Sequence, residues 1–245
     1  MKIATWNVEG VRPRGRERTV YIREAIGRIG ADIWILTESH PEFMPAEGYR
    51  PLAVSTPAAY RVDGCWVAIW IREDIVGKAR ALNVEADRSA GACVLRPGGH
   101  SLFVFGTVLP WRADARYTQF RGGIAFERAL KAQAAEWQLA RKEDPDAELC
   151  VAGDFNQELG AEGPAGTHVG RVAFDEMLKS QKLTCVTGGD RDPLYALGWG
   201  TNVDHILLSN GLRMKERRAD IWPKESVLPT MAPDHYGVCI TLAEA

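Results

Sequence analysis

The nine residues Leu149–Gln157, LCVAGDFNQ, constrain this chain more than any other stretch. An apolar run, Leu149 to Ala152, reaches Gly153, and Asp154, Phe155 and Asn156 follow. A strand this apolar is covered on both faces, and polar side chains emerge only at the turn that ends it. Side chains alternate along a strand. If extended geometry persists past Gly153, Asp154 and Asn156 point one way and Phe155 the other. One carboxylate and one carboxamide then share a rigid platform. An ionised Asp can take a proton from water, and an Asn can donate to an oxyanion. Reaction at a phosphate needs both acts close together. A plain turn is the competing reading, because Gly, Asp and Asn dominate turns for conformational reasons alone. The other polar strand ends decide between the two.

A chain of 245 residues with 46% hydrophobic and 25% charged residues suits one globular domain, spanning 1–245. No repeat of solenoid period and no low-complexity linker divides it. The net charge of -2 and pI ≈ 6.2 lack the basic excess of a protein that grips nucleic acid by counterion release alone. A local basic patch with a bound cation can do the same work. The 5 cysteines are odd in number and form no CxxC pair, which argues against a disulfide framework or a zinc site. Cys65, Cys150 and Cys239 fall in apolar runs, as small hydrophobes do. The opening MKIATWNV reads as a strand rather than a leader, and no run approaches membrane-spanning length. A cytoplasmic monomer with no membrane partner is expected.

Taken in order, Lys2–Val8 alternates Ile3, Thr5 and Asn7 against Ala4, Trp6 and Val8, a core strand ending at Gly10 with Asn7 and Glu9 on one side. Ile22, Ala25, Ile26 and Ile29 recur at helical spacing within Glu17–Gly30. Arg12, Arg14, Arg16 and Arg18 precede or begin that helix, as a solvated face or a phosphate-steering patch. Asp32–Ser39 is a second buried strand with Glu38 at its end, where a carboxylate is costly to bury without a cation or donors. Gly64–Arg72, Gly91–Leu95 and Ser101–Leu109 read as strands, the last two joined by a hairpin at Gly98-Gly99. A long helix runs to about Lys142 on the stripe Phe126, Leu130, Ala134 and Trp137. Glu158–Gly170 reads as a surface loop, Val172–Ser180 as a short helix, and Val203–Ser209 and His235–Leu242 as the last strands. The order gives one α+β domain with two packed sheets and helices outside.

Polar clusters thus close five strands: Asn7/Glu9, Glu38, Asp154/Asn156, Asp204 and Asp234/His235. Strand ends of a two-sheet sandwich converge on one rim, and carboxylates gathered there repel unless a cation is present. Oxygen donors of this kind suit Mg²⁺, with Mn²⁺ as a substitute, and not zinc.

The ordered series WNVEG, LTE, GDFN, VDHILLS and PDHYGV resembles the motifs of the endonuclease/exonuclease/phosphatase superfamily. That family includes AP endonucleases, pancreatic-type DNases, sphingomyelinases, inositol-polyphosphate phosphatases and deadenylases. The resemblance implies a four-layer α/β/β/α sandwich with two mainly antiparallel sheets. It implies a metal-dependent phosphoester hydrolase with Glu38 as principal Mg²⁺ ligand and Asp234 also at the metal. Asn7 would sit beside the metal and touch the phosphate, with Glu9 as a second-tier acidic residue of the metal site. Asp154 would orient and deprotonate water. Asn156 would donate to a phosphate oxygen. Asp204 would hold His235, which would stabilise developing charge. A Ser triad finds no nucleophile-elbow sequence.

One departure stands out. Many relatives carry a His in the strand before the long helix, where this chain reads Gly106-Thr107-Val108-Leu109. AP endonucleases use a Tyr just ahead of that helix, and Tyr117 is placed for the role. Arg112, Arg116, Trp111 and Trp199 are candidate substrate contacts, the aromatics as stacking surfaces for bases. Nucleic acid is the leading substrate. A small phosphorylated or lipid-like substrate would use the same rim, because the loops choose the substrate. A binding domain without turnover is the third reading.

Overall fold

The apolar stretches pair into two sheets because each has two sides to cover. The computed structural model describes residues 1–11, 17–40, 42–55, 64–96, 98–114, 123–159, 165–213, 215–223 and 234–243. The chain order is β1 (Lys2–Val11), α1 (Glu17–Ile29), β2 (Ile33–Ser39), β3 (Tyr49–Val54), β4 (Cys65–Arg72), β5 (Ala79–Leu82), β6 (Ser89–Leu95), β7 (Ser101–Val108), α2 (Ile124–Glu143), β8 (Glu148–Asp154), α3 (His168–Gln181), β9 (Leu183–Cys185), α4 (Pro193–Ala196), β10 (Asp204–Ser209), α5 (Asn210–Arg213), β11 (Glu216–Trp222) and β12 (Gly237–Leu242). One sheet is ordered β11-β12-β1-β2-β4-β3 and the other β5-β6-β7-β8-β10-β9. The parallel pairs are β1–β2 and β7–β8, each joined through a helix, and the remaining neighbours are antiparallel.

Alternation along the strands builds the layers. Ile3 of β1 and Cys150 and Ala152 of β8 face the space between the sheets, with Ile35, Val67, Val104 and Ile206. Ala4, Trp6 and Val8 face outward onto Ile22, Ala25 and Ile26 of α1. Leu149 and Val151 face outward onto Phe126, Leu130 and Trp137 of α2 and Phe174 and Met177 of α3. The result is an α/β/β/α sandwich, as expected. Among the described residues no helix is long and apolar enough to cross a membrane.

The sheets approach closely at Gly106. A Cβ there would come 2.3 Å from Val67 Cγ1 and 2.9 Å from Ile35 Cγ2. Gly106→Ala is therefore expected to lower stability by about 1–3 kcal/mol through overpacking. Chemical denaturation checks it, and an unchanged midpoint would contradict the packing described.

Four strands had no counterpart among the expected elements: β3, β5, β9 and β11. All four are sheet edges. The segment expected as loop to Gly170 instead turns helical at His168, where Thr167 Oγ1 accepts from Gly170 N at 2.9 Å and caps α3.

Candidate active site

The rim is assembled from strand ends, and local backbone geometry sets each side chain. Gly153 has φ 146, and a Cβ on it would lie 2.0 Å from Thr107 O. Only glycine lets β8 close on β7 there, with Asp154 opposite Val108 on one side and Asp204 on the other. Glu9, Glu38 and Asn156 all have left-handed backbone, with φ 49, 53 and 50. Such conformations concentrate where a site re-aims side chains.

Asn7, from β1, is 1% exposed. Its Nδ2 donates to Asp154 Oδ2 at 3.0 Å and to Glu38 Oε1 at 3.3 Å. One amide thus bridges a carboxylate from each sheet. Asp154 is also buried, and its Oδ1 accepts from Asn156 N at 2.9 Å. Asn156 Nδ2 donates to Asp154 Oδ2 at 3.0 Å and to Leu109 O at 2.9 Å. Fully buried Asp204 accepts from His235 Nδ1 through Oδ2 at 2.5 Å. Asn202 holds Asp204 from behind, its Oδ1 accepting from Asp204 N at 3.1 Å and its Nδ2 donating to Asp204 O at 2.5 Å. Trp6 Nε1 donates to His235 O at 3.0 Å and fixes the turn before β12.

Ligand atoms of Asp154, Asp204 and His235 lie within 4.8 Å of one another. Burial first, then Asp204 and Glu38, push the Asp154 carboxyl up to about 7, against the pull of His235 and the Asn156 N–H. Burial disfavours the charged form of His235, but the carboxylates of Asp204 and Asp154 outweigh it and raise its pKa to about 10. The site therefore pairs a reluctant anion with a stable cation. Asp204 Oδ1 is buried without a hydrogen-bond partner among the described residues. That unmatched oxygen, with the buried Asp154 and half-buried Glu38 nearby, fits a hard divalent cation.

Several expectations change. Extended geometry does not persist to Asn156. The chain turns, and Asn156 clamps Asp154 to the end of β7 rather than standing beside it. Phe155 does tuck opposite, fully buried edge-on against Phe174 at 5.1 Å. Glu9 does not share Asn7's side. Its carboxylate faces solvent and pairs with Arg18 of α1, while only its N–H reaches Asn7 Oδ1, at 2.9 Å. The Asp234 side chain is 73% exposed, with Oδ1 3.8 Å from His235 Nε2. The position of the missing strand His, two residues after Thr107, is taken by Leu109, which is fully buried and offers its carbonyl to Asn156 Nδ2; Thr107 itself donates to Gln133 of α2.

Trp111 and Arg112 are exposed beside Asn156, and Trp199 is exposed with its ring 6.0 Å from Tyr236. Tyr117, Arg116, Arg12, Arg14 and Arg16 lie outside the described residues. Sequence reasoning passed over Asn202, Trp6 and Tyr236. The Thr201-Asn202 pair just ahead of Val203-Asp204-His205 was the available signal for the first.

This geometry has counterparts. The solved AP endonuclease of Leishmania major superposes with a TM-score of 0.73 at 15% identity, over 100% of this chain and 88% of that one. A 3' phosphatase from Neisseria, bound to a product DNA hairpin, gives 0.67 at 17% identity, with 99% of each chain covered. The mannosyl-6-phosphatase of Bacteroides thetaiotaomicron gives 0.64 at 13% identity, again over 99% of each. No curated protein sequence matches the chain. At such identities these likenesses concern the fold. The sequence model of the Endonuclease/Exonuclease/phosphatase family, by contrast, matches residues 4–226, and the chain belongs to that family.

Proposed function

We propose that the protein is a divalent-metal-dependent phosphodiesterase that hydrolyses nucleic acid by direct attack of water on phosphorus. The observation that carries this reading is the Asp154 carboxylate. It is buried, held by the amides of Asn7 and Asn156, and set within 4.8 Å of the Asp204–His235 pair. Asp154 orients the water and takes its proton. Asn7 and Asn156 keep that carboxylate in place. Asp204 occupies His235 Nδ1 and leaves Nε2 to donate to the phosphate oxygen on which charge develops. Glu38, joined to Asp154 through the Asn7 amide, would hold Mg²⁺ or Mn²⁺ together with the unmatched Oδ1 of Asp204, and the exposed Asp234 would lie at its outer side. When bound, such a cation neutralises phosphate charge as a Lewis acid.

Nucleic acid is favoured over a small phosphoester by the exposed rings of Trp111 and Trp199 with Arg112 at the rim. The test is a panel of single-stranded, duplex and abasic DNA with a phosphomonoester, in Mg²⁺, Mn²⁺ and excess chelator. Cleavage of DNA that chelator abolishes and Mn²⁺ restores is expected. Turnover of the phosphomonoester alone would end the nuclease reading.

The rate should depend on pH in a bell. Activity rises as Asp154 ionises, in an acid limb no higher than the value of about 7 set by burial, Asp204 and Glu38; a bound cation would move that limb lower. It declines as His235 loses its proton near 10. A profile of kcat/KM against pH checks both limbs. Tyr117→Phe should lower catalytic efficiency severalfold with the fold intact. A wild-type rate would remove Tyr117 from the site.

A further inference from the structure

Behind the rim lies a buried guanidinium that the proposed reaction does not use. Arg88, immediately before β6, is 1% exposed and has left-handed backbone at φ 59. Its carbonyl accepts from Val108 N at 3.0 Å, at the end of β7. Its guanidinium carbon stands 4.0 Å from the Trp66 ring centroid and 5.8 Å from that of Trp111. Its Nη2 lies 2.6 Å from Asp114 Oδ2, and the Asp114 side chain is only 3% exposed. Trp111 and Asp114 belong to the loop that leaves β7, which closes on itself where Asp114 N donates to Trp111 O at 3.1 Å. That loop lines a cleft together with Asn156, Gln157 and Thr167.

A buried charge is tolerated only while paired, so Arg88 and Asp114 stay in together and the loop stays down. Stacked over Trp66, the guanidinium also faces the Trp111 ring, and that ring remains 40% exposed beside Asn156. An aromatic ring fixed in this way loses little freedom when a ligand stacks on it.

We propose that Arg88 is a positioning residue. Through Asp114 and Trp111 it holds the loop as the wall of a subsite for the nucleotide next to the scissile phosphate, with the base against Trp111 and its phosphate against Arg112. This deepens the nuclease reading and rests on it. The substrate it implies is single-stranded, because only an unpaired base offers its face to a ring.

The test measures kcat and KM on a single-stranded oligonucleotide. It also measures Kd, by fluorescence anisotropy, for a labelled oligonucleotide with phosphorothioate linkages that resist cleavage. Arg88→Met and Trp111→Ala are each expected to raise KM and Kd about tenfold, with kcat within about threefold of wild type. The double variant should bind no worse than the poorer single one, and Arg88→Lys should recover part of the loss. A merely structural role for Arg88 would lower apparent kcat with the folded fraction and leave KM alone, and that result overturns the proposal. So does Trp111→Ala with KM and Kd unchanged. If Arg88→Met does not fold, Trp111→Ala decides, since its side chain is at the surface. A wild type that binds the oligonucleotide without cutting it would sink the hydrolase reading and leave the subsite to be judged on Kd. A wild type that cuts another phosphoester but binds no oligonucleotide would do the reverse.

Discussion

Asp154→Asn is expected to lower kcat roughly 10³-fold or more while the protein remains folded. The substitution keeps the shape of the side chain and one acceptor oxygen, enough for the Asn7 and Asn156 side-chain amides, but gives up the acceptor for Asn156 N–H and removes the base. The environment makes the loss specific. Burial first, and then the charges of Asp204 and Glu38, raise the pKa of Asp154 from 3.8 to about 7 and so make it a usable base near neutral pH. The same burial means that the ionised form costs folding free energy. With a folded pKa above the unfolded one, this group's contribution is fully present below 3.8 and lost as pH rises through about 7. Asp154→Asn escapes that pH-dependent loss but forgoes the bond from Asn156 N, so in chelator its melting temperature should gain on that of wild type between about pH 5 and pH 8, whatever it does to rate. Thermal unfolding alongside steady-state kinetics separates the two. Full activity in a folded variant would remove Asp154 from the chemistry.

His235→Gln is the second large effect, a loss of roughly 10²–10³ in kcat. A neutral Gln can still donate, but it carries no charge to oppose the one building on phosphate. The carboxylates of Asp204 and Asp154 hold His235 protonated to about 10, against the penalty of burial. The basic limb of the rate profile should vanish in this variant, because nothing remains to deprotonate there. Asp204→Asn should move the same limb to lower pH by withdrawing the nearest anion, the 2.5 Å partner of His235 Nδ1. A basic limb unchanged in both variants would assign it to another group.

The eight strands read from the sequence are the eight inner strands of the two sheets, β1, β2, β4, β6, β7, β8, β10 and β12. Burial on both faces writes long apolar runs such as CWVAIWIR, and those are legible without a structure. Edge strands are blunted by design. β3 carries Pro51, β5 is four residues long, β9 is three, and β11 reads ERRADIW. The convergence of Asn7, Glu38, Asp154, Asp204 and His235 was legible from where apolar runs end. Their fine geometry was not. Left-handed backbone at Glu9 and Asn156 turns one side chain to solvent and folds the other back on Asp154, and simple alternation cannot foresee either. Nor does a sequence reveal that an Arg in EADRSAG is stacked on a Trp twenty-odd positions earlier, since that pairing crosses from one sheet to the other.

Everything rests on residues from Asn7 to His235 acting on one phosphate as one unit. The direct measurement is single-turnover cleavage by wild type, Asp154→Asn, His235→Gln and the double variant. Groups that serve one transition state lose their effect together, so the double variant should be no more than about threefold slower than the worse single one. If the two losses multiply instead, Asp154 and His235 act independently, and the shared centre described above does not exist.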